Sequence, residues 1–236
     1  QRRVCLVGEP FSPFRLQRSI DISIAPLTRP ETLLLLKRSA AETTRLVNGW
    51  GKGLISRADP LFVAETPHSI AALGHFRHLA IALGYAVEPV ADRSIADGLM
   101  LRVRDVQLLG HGRFEPALET WLARHEVRHL DRADTELTLR KDGTARIVSG
   151  EHSVEAAQVI LAGDDAVLDD LPEEARDRSL EPIPGAAMLL DTSRPLPAPY
   201  LSFLDRGVVL VQDGKVSASA LLSGDPATAR ARLGST

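Results

Sequence analysis

Cysteine is nearly absent from this 236-residue chain, in which Cys5 stands alone. That excludes an internal disulfide framework and suits a reducing compartment, so a cytoplasmic location is expected. Long apolar runs are missing as well: none approaches the roughly 20 residues that span a bilayer, and no charged-then-apolar segment resembles a signal peptide. Charge of one sign is scarce. The 28 Lys and Arg against 31 Asp and Glu leave a net charge of -3, with no basic excess for nucleic acid and no polybasic stretch for a membrane surface. What remains is an ordinary soluble composition, 44% hydrophobic and 25% charged, long enough for one large domain or two small ones. The opening "QRRVCLVGEP" passes from two arginines straight into a strand-like run, which reads as a start inside a domain.

"VCLVGE" (4–9) is a short apolar run ending at an acid, as in a buried parallel strand. "SIDISI" suggests a short strand within a proline-bearing loop. Residues 30–47 predict a helix, with Pro30 and Glu31 in its first turn and Leu33, Leu36, Ala40 and Val47 near one face. "LFVAE" (61–65) predicts a strand, and His68 to Leu83 a second helix with Ile70, Leu73, Leu79 and Leu83 as its buried stripe and Gly84 at its end. A polar helical turn is expected at 91–97, followed by the extended piece "LMLRVRDVQLLG". "FEPALETWLARH" is helical, and "TELTLRKDGTARIVS" alternates on both sides of Asp142-Gly143, a hairpin signal. "AAQVILAG" (156–163) predicts another buried strand, and "DAVLDDLPEEA" a helix. Strands are expected around 183–190, 200–204, 207–212 and 215–222, with Asp213-Gly214 turning the last pair. The early strands suggest a mixed sheet with helices and the late ones a second, antiparallel sheet, so the class is α/β or α+β.

Residues 125–129, His-Glu-Val-Arg-His, match H-E-x-x-H, in which two helical histidines bind zinc and the glutamate is general base. The surroundings argue against it. "VRHLD" alternates like a strand, on which residues 125 and 129 would lie about 13 Å apart, too far to chelate one ion together. A helix end with His125 near the negative dipole end is the better reading. His75 and His78 lack an acidic or cysteine partner at ligand spacing and read as a solvated helical face. "NGWGKG" (48–53) lacks the preceding strand and the Lys-Ser/Thr of a phosphate loop, so it reads as a turn. Cys5 reads as a core residue, and Arg102 and Arg104 as the outward positions of a half-exposed strand.

Four pieces together resemble the flavoproteins of the D-amino-acid oxidase superfamily, which includes glycine and sarcosine oxidases. "RRVCLVGEP" looks like that family's second Rossmann strand, and "FRLQRSIDISIA" like the loop that follows it. "GHGRFEPALETWLARHEVRHLDRADTELTLRKDG" looks like the return of an inserted domain to the cofactor domain, and "AAQVILAGDDAVLDDL" like the strand beneath the FAD pyrophosphate. The resemblance implies an incomplete Rossmann-like FAD domain (1–50 and 110–178) with an inserted, mostly antiparallel substrate or cap domain (51–109 and 179–236). It implies FAD as cofactor, with Glu9 holding its ribose, Arg18 and Ser19 approaching the flavin, and Thr135, Ala162 and Gly163 beside the cofactor. The function implied is oxidation of an amine or amino acid by hydride transfer to FAD.

The chain also departs from the pattern. The glycine-rich strand-turn-helix and the closing glycine segment are not in it. The family's Ala-Ala-Gly is Ala162-Gly163-Asp164-Asp165, acids that would repel a pyrophosphate, and Val208 and Val209 stand where an aromatic is common. The departures allow an alternative, a non-catalytic scaffold subunit of a hetero-oligomeric flavin dehydrogenase, working through a partner subunit. A zinc hydrolase using His125, Glu126 and His129 is the third reading. Arg102, Arg104 and Arg113 remain equal candidates for a substrate-carboxylate clamp.

Overall fold

The computed structural model describes residues 3–8, 29–162, 170, 185–212, 215, 217–223, 227, 228 and 231, and the backbone of 19–21. The predicted helix "DAVLDDLPEEA", Asp170 apart, and the Asp213-Gly214 turn lie outside the described residues.

In chain order the elements begin with β1 (Cys5–Val7), β2 (Ser19–Asp21), α1 (Pro30–Trp50), β3 (Ile55–Ala58) and β4 (Leu61–Ala64). Next come α2 (Pro67–Ala82), β5 (Val87–Val90), β6 (Leu99–Val103), β7 (Val106–Gly110) and α3 (His111–Arg124). Then follow β8 (Arg128–Leu130), β9 (Thr135–Leu139), β10 (Ala145–Ser149) and β11 (His152–Ala156). The last four are β12 (Gly185–Asp191), β13 (Tyr200–Phe203), β14 (Val208–Gln212) and β15 (Ser217–Ser223). The architecture is mixed α/β. Two compact units form, one from Gln1–Pro13 with Leu122–Pro182, the other from Phe14–Trp121 with Ile183–Thr236. Residues 14–50 and 110–121, grouped by the sequence with the first part, therefore belong to the second unit.

The second unit is built on a seven-stranded sheet in the order β12-β15-β14-β13-β4-β6-β5. The late strands do not make the separate antiparallel sheet that their alternation predicts. β13 pairs in parallel with β4, Leu201 opposite Leu61 and Phe203 opposite Val63, and joins them to the earlier strands. The reason lies in β4. All four of its residues are buried, so a free ladder edge there would leave backbone N–H and C=O groups without partners or water. β6 covers one edge and β13 the other.

Alternation sorts the two faces of the sheet. Phe62, Ala64 and Leu101 point toward α2, which lays Leu73, Phe76 and Ala80 against them, with the Phe62 and Phe76 rings edge-on at 6.0 Å. Leu61, Val63, Met100, Leu201 and Phe203 form the opposite core with Val208 and Leu222. Each such fully buried side chain contributes about 1.5–3 kcal/mol. α2 starts at a reciprocal cap in which Ser69 N donates to Thr66 Oγ1 and Thr66 N to Ser69 Oγ, with Pro67 at the first helical position. It ends before Gly84, whose φ of +81° favours glycine.

α1 buries Leu33, Ala40 and Val47, each two turns from the next, and outlasts its predicted end to reach Trp50. Trp50 packs on Phe114 and Trp121 of α3, with ring centroids 5.3 and 5.6 Å away. The extended piece "LMLRVRDVQLLG" breaks at Asp105, where φ is +62°. β6 thus stays in the large sheet while β7 enters a three-stranded one, ordered β2-β7-β3. Residues 91–97 hold an isolated turn instead of the predicted helical one, because Ser94 N and Oγ both donate to Asp92 Oδ1.

In the first unit β1 and β8 run parallel, Cys5 opposite Arg128 and Val7 opposite Leu130. β9, β10 and β11 form an antiparallel meander, turned at Gly143 (φ +81°) as the Asp142-Gly143 signal predicts. The buried strand predicted over 156–163 is not formed. Only Ala156 is in a strand, as the end of β11, and residues 157–162 have no regular structure. No described strand pairs with them, so the apolar run finds no ladder, and Ile160 is 81% exposed.

Candidate functional site

Because β1 and β8 are parallel, their carboxyl ends emerge on one side, where ligands of open α/β sheets bind. Gly8 follows β1 with φ +85°, a conformation that favours glycine. Its N–H donates to Leu130 O at 2.9 Å, and its carbonyl accepts from His129 Nε2 at 2.6 Å. That bond fixes the proton on Nε2 in the neutral ring. The exit of β1 is thus bound to β8 from both sides.

The exit of β8 is fixed equally closely. Asp131 Oδ1 accepts from Ala133 N at 2.8 Å, and its carbonyl accepts from Thr135 Oγ1. Arg132 Nη1 donates to Thr135 O at 3.2 Å while its Nη2 meets the largely covered Asp170 carboxylate at 2.5 Å. The result is a braced strand exit at Gly8 beside the braced Asp131–Thr135 loop, both at the carboxyl ends of a parallel pair. Such a pair can present main-chain groups and a following acid to a sugar hydroxyl.

Of the residues the sequence nominates for the cofactor, Glu9, Arg18 and Gly163 lie outside the described residues. Thr135 is buried and in register with Ser149, its hydroxyl committed to the Asp131 carbonyl. Ala162 is exposed at the end of the irregular segment. Ser19 is in β2, opposite Gly110, and belongs to the second unit, whereas Thr135 and Ala162 belong to the first.

The H-E-x-x-H pattern is divided between elements. α3 ends at Arg124, Glu126 has φ +52°, and His129 is on β8 with Nε2 committed to Gly8 O. The helix ends at Arg124, one residue short of the predicted His125, and "VRHLD" is extended as its alternation predicts, so the two imidazoles share no helical face. Among the described residues no group of three or more His, Cys, Asp or Glu could hold a metal. His75 and His78 are exposed on α2.

Two of the three candidate clamp arginines are already paired. Arg104 meets Asp59 at 2.5 Å and Glu88 at 2.6 Å, and Arg102 meets Glu88 at 3.3 Å. The Asp59 carboxyl is held below its ordinary range by the Asp105 N–H and then by Arg104. Arg113 is exposed on α3 near the turn at Gly53.

A cluster that the sequence reading missed closes the N-terminus of α2. Asp205, between β13 and β14, accepts from Glu65 N and Ser69 Oγ through Oδ2 and from Thr66 Oγ1 through Oδ1, all at 2.5–2.6 Å. Thr66 and Ser69 gave a local signal, but Asp205 lies about 140 positions away and gave none. A carboxylate is therefore seated where a helix could otherwise receive an anion. α1 carries Glu31 in its own first turn.

No family model matches this sequence, and no curated protein matches it. Solved structures match its fold. The iminodiacetate oxidase of Chelativorans sp. BNC1 superposes with a TM-score of 0.64 at 14% identity, over 95% of this chain and 66% of that one. The glycine oxidase of Geobacillus kaustophilus gives 0.58 at 14% identity, over 86% and 58%. NikD, an unusual amino acid oxidase essential for nikkomycin biosynthesis, gives 0.65 at 13% identity, over 92% and 62%. The fold is that of amino-acid oxidases. At such identities the likeness concerns fold alone, and this chain spans between 58% and 66% of the length of these three proteins. No described helix is long and apolar enough to cross a membrane.

Proposed function

We propose that this chain is part of a flavin-dependent oxidoreductase that oxidises an amine or amino acid. The observation that carries the reading is the fold, shared with amino-acid oxidases over 86–95% of the chain. The braced carboxyl ends of β1 and β8 support it from within the molecule.

The fit to FAD is partial. At the ribose end the support is the fixed exit of β1, where the Gly8 carbonyl is tied to His129 and its N–H to Leu130, one residue before Glu9 in the sequence. A carboxylate at that position suits a ribose hydroxyl. At the pyrophosphate end the N-terminus of α2 is closed by Asp205, and α1 opens with an acid. Neither of those helix ends offers a phosphate cradle. FAD, when bound, supplies the two-electron acceptor. The chain's own part is to orient the adenosine end, through Gly8, His129 and Glu9, and to keep the Asp131–Thr135 loop from collapsing onto it.

The test is titration of the purified protein with FAD, followed by quenching of flavin fluorescence, with circular dichroism to verify the fold. Saturable uptake that weakens about tenfold in Glu9→Gln is expected. A folded protein that takes up no FAD at 100 µM, roughly a −5.5 kcal/mol threshold, would overturn the reading.

A further inference from the structure

We propose that the cavity between β8 and the inner face of the β9–β11 meander is a binding site for a small aliphatic carboxylate. The meander is amphipathic. Its outer face carries Glu136, Arg146 and Glu155, with Arg140 bonded to Glu155 at 2.9 Å. Its inner face pairs Ile147 with Val154 and Ser149 with His152 across β10 and β11. Facing β8, these residues bound a cavity of about 320 Å³, within the range that accommodates small ligands.

The lining divides chemically. Leu130, Ile147 and Val154 supply an apolar wall, while Arg128, Ser149 and His152 supply hydrogen-bonding groups. None of those three side chains makes a hydrogen bond or ion pair with a described residue. That distinguishes Arg128 from Arg57, Arg102, Arg104, Arg132, Arg140 and Arg206, each of which meets a carboxylate. Among the described residues no acid lines the cavity. The fourth polar group, His129, has its Nε2 committed to Gly8 O.

A cavity whose described lining holds one permanent cation and no acid favours a monoanion, and the planar guanidinium fork matches a carboxylate. A hydroxyl and an imidazole beside it can complete the carboxylate's hydrogen bonds. The apolar wall then selects an aliphatic body over a strongly hydrated phosphate, because burial of CH2 groups there is favourable. The cavity shares only His129 with the residues assigned to FAD above, and because the titration below uses the flavin-free protein, its failure and a failure of flavin binding are read separately.

The experiment is calorimetric titration of the flavin-free protein with hexanoate, with hexan-1-ol and hexylamine as neutral and cationic counterparts of the same body. Hexanoate should bind one-to-one and at least tenfold more tightly than either counterpart, and the His152 ring resonances should shift on its addition. Arg128 is exposed, so Arg128→Met should fold normally by circular dichroism and bind hexanoate at least tenfold more weakly. Val154→Asp, which puts a like charge at a partly exposed wall position, should abolish binding. Equal affinity for hexan-1-ol, an unmoved His152 resonance, or undiminished hexanoate binding in folded Arg128→Met or Val154→Asp would each overturn the proposal.

Discussion

The Arg206 guanidinium grips the Glu65 carboxylate with two hydrogen bonds, Nε to Oε2 at 2.7 Å and Nη2 to Oε1 at 2.6 Å. Its other side stacks over Phe203, 5.0 Å from the ring centroid. With the neighbouring Asp205 on the Thr66–Ser69 cap, the pair ties the start of α2 to the β13–β14 connection. This is the polar counterpart of the parallel β4–β13 ladder, since both join the late strands to the early ones.

Asp205→Ala should destabilise the second unit by about 1–2 kcal/mol, the range for loss of a helix N-terminal acceptor. Urea denaturation followed by circular dichroism checks it. Burial pushes the Asp205 carboxyl up, but the N–H of Glu65 and the Ser69 and Thr66 hydroxyls outweigh it and hold the group far below the ordinary aspartate range. A depressed folded pKa stabilises above the unfolded value and loses that contribution as pH falls. The margin of the native protein over Asp205→Ala should therefore be constant near neutrality and shrink below about pH 4. A margin unchanged down to pH 2.5 would contradict this account.

Gly98→Ala should prevent normal folding. A Cβ at 98 would overlap the Ala64 carbonyl oxygen and crowd Glu65, and both are backbone at the edge of the β4–β6 ladder. Rigid backbone cannot swing aside as a side-chain tip can. The expected readout is loss of soluble protein or a large fall in Tm, whereas Gly74→Ala, with open space around it, should fold.

Phe76→Ala should cost about 3–5 kcal/mol, the usual range for a large aromatic removed from a core. Phe76 is fully buried and meets Phe62 edge-on between α2 and the sheet. Phe76→Leu, which retains most of the volume, should recover more than half of that loss in the same urea titration.

Gly143→Ala should cost the meander about 1–2 kcal/mol, because φ is +81° there and an L side chain pays for the left-handed region. Open space surrounds the position, so the cost is conformational and not steric. Amide exchange should speed up across β9 and β10 and leave α2 unchanged. Uniform acceleration through both units would overturn that expectation.

The elements with local signatures were legible from residue order. Asp142-Gly143 marks the hairpin because its turn needs a positive φ, and Pro30 marks a helix start because proline's fixed φ suits a first turn. The end of α3 could be read from the alternation of "VRHLD", which removed the helical basis of the zinc reading. The site was legible only in part. Gly8 and His129 adjoin segments the sequence singled out, but their hydrogen bond spans 121 positions. Thr135 was nominated for a cofactor, yet its hydroxyl is committed to Asp131.

Short-range chemistry, acting over one turn of helix or one hairpin, was enough to place the three long helices α1, α2 and α3 and several of the strands among the described residues. Pairing over long distances was not encoded in any window of residues. The parallel β4–β13 ladder, the Asp205 cap on α2 and the break of 99–110 into two sheets each depend on a partner far away in the chain. The same rule explains 157–162, an apolar run that looks like a strand but has no described strand beside it to complete its hydrogen bonds.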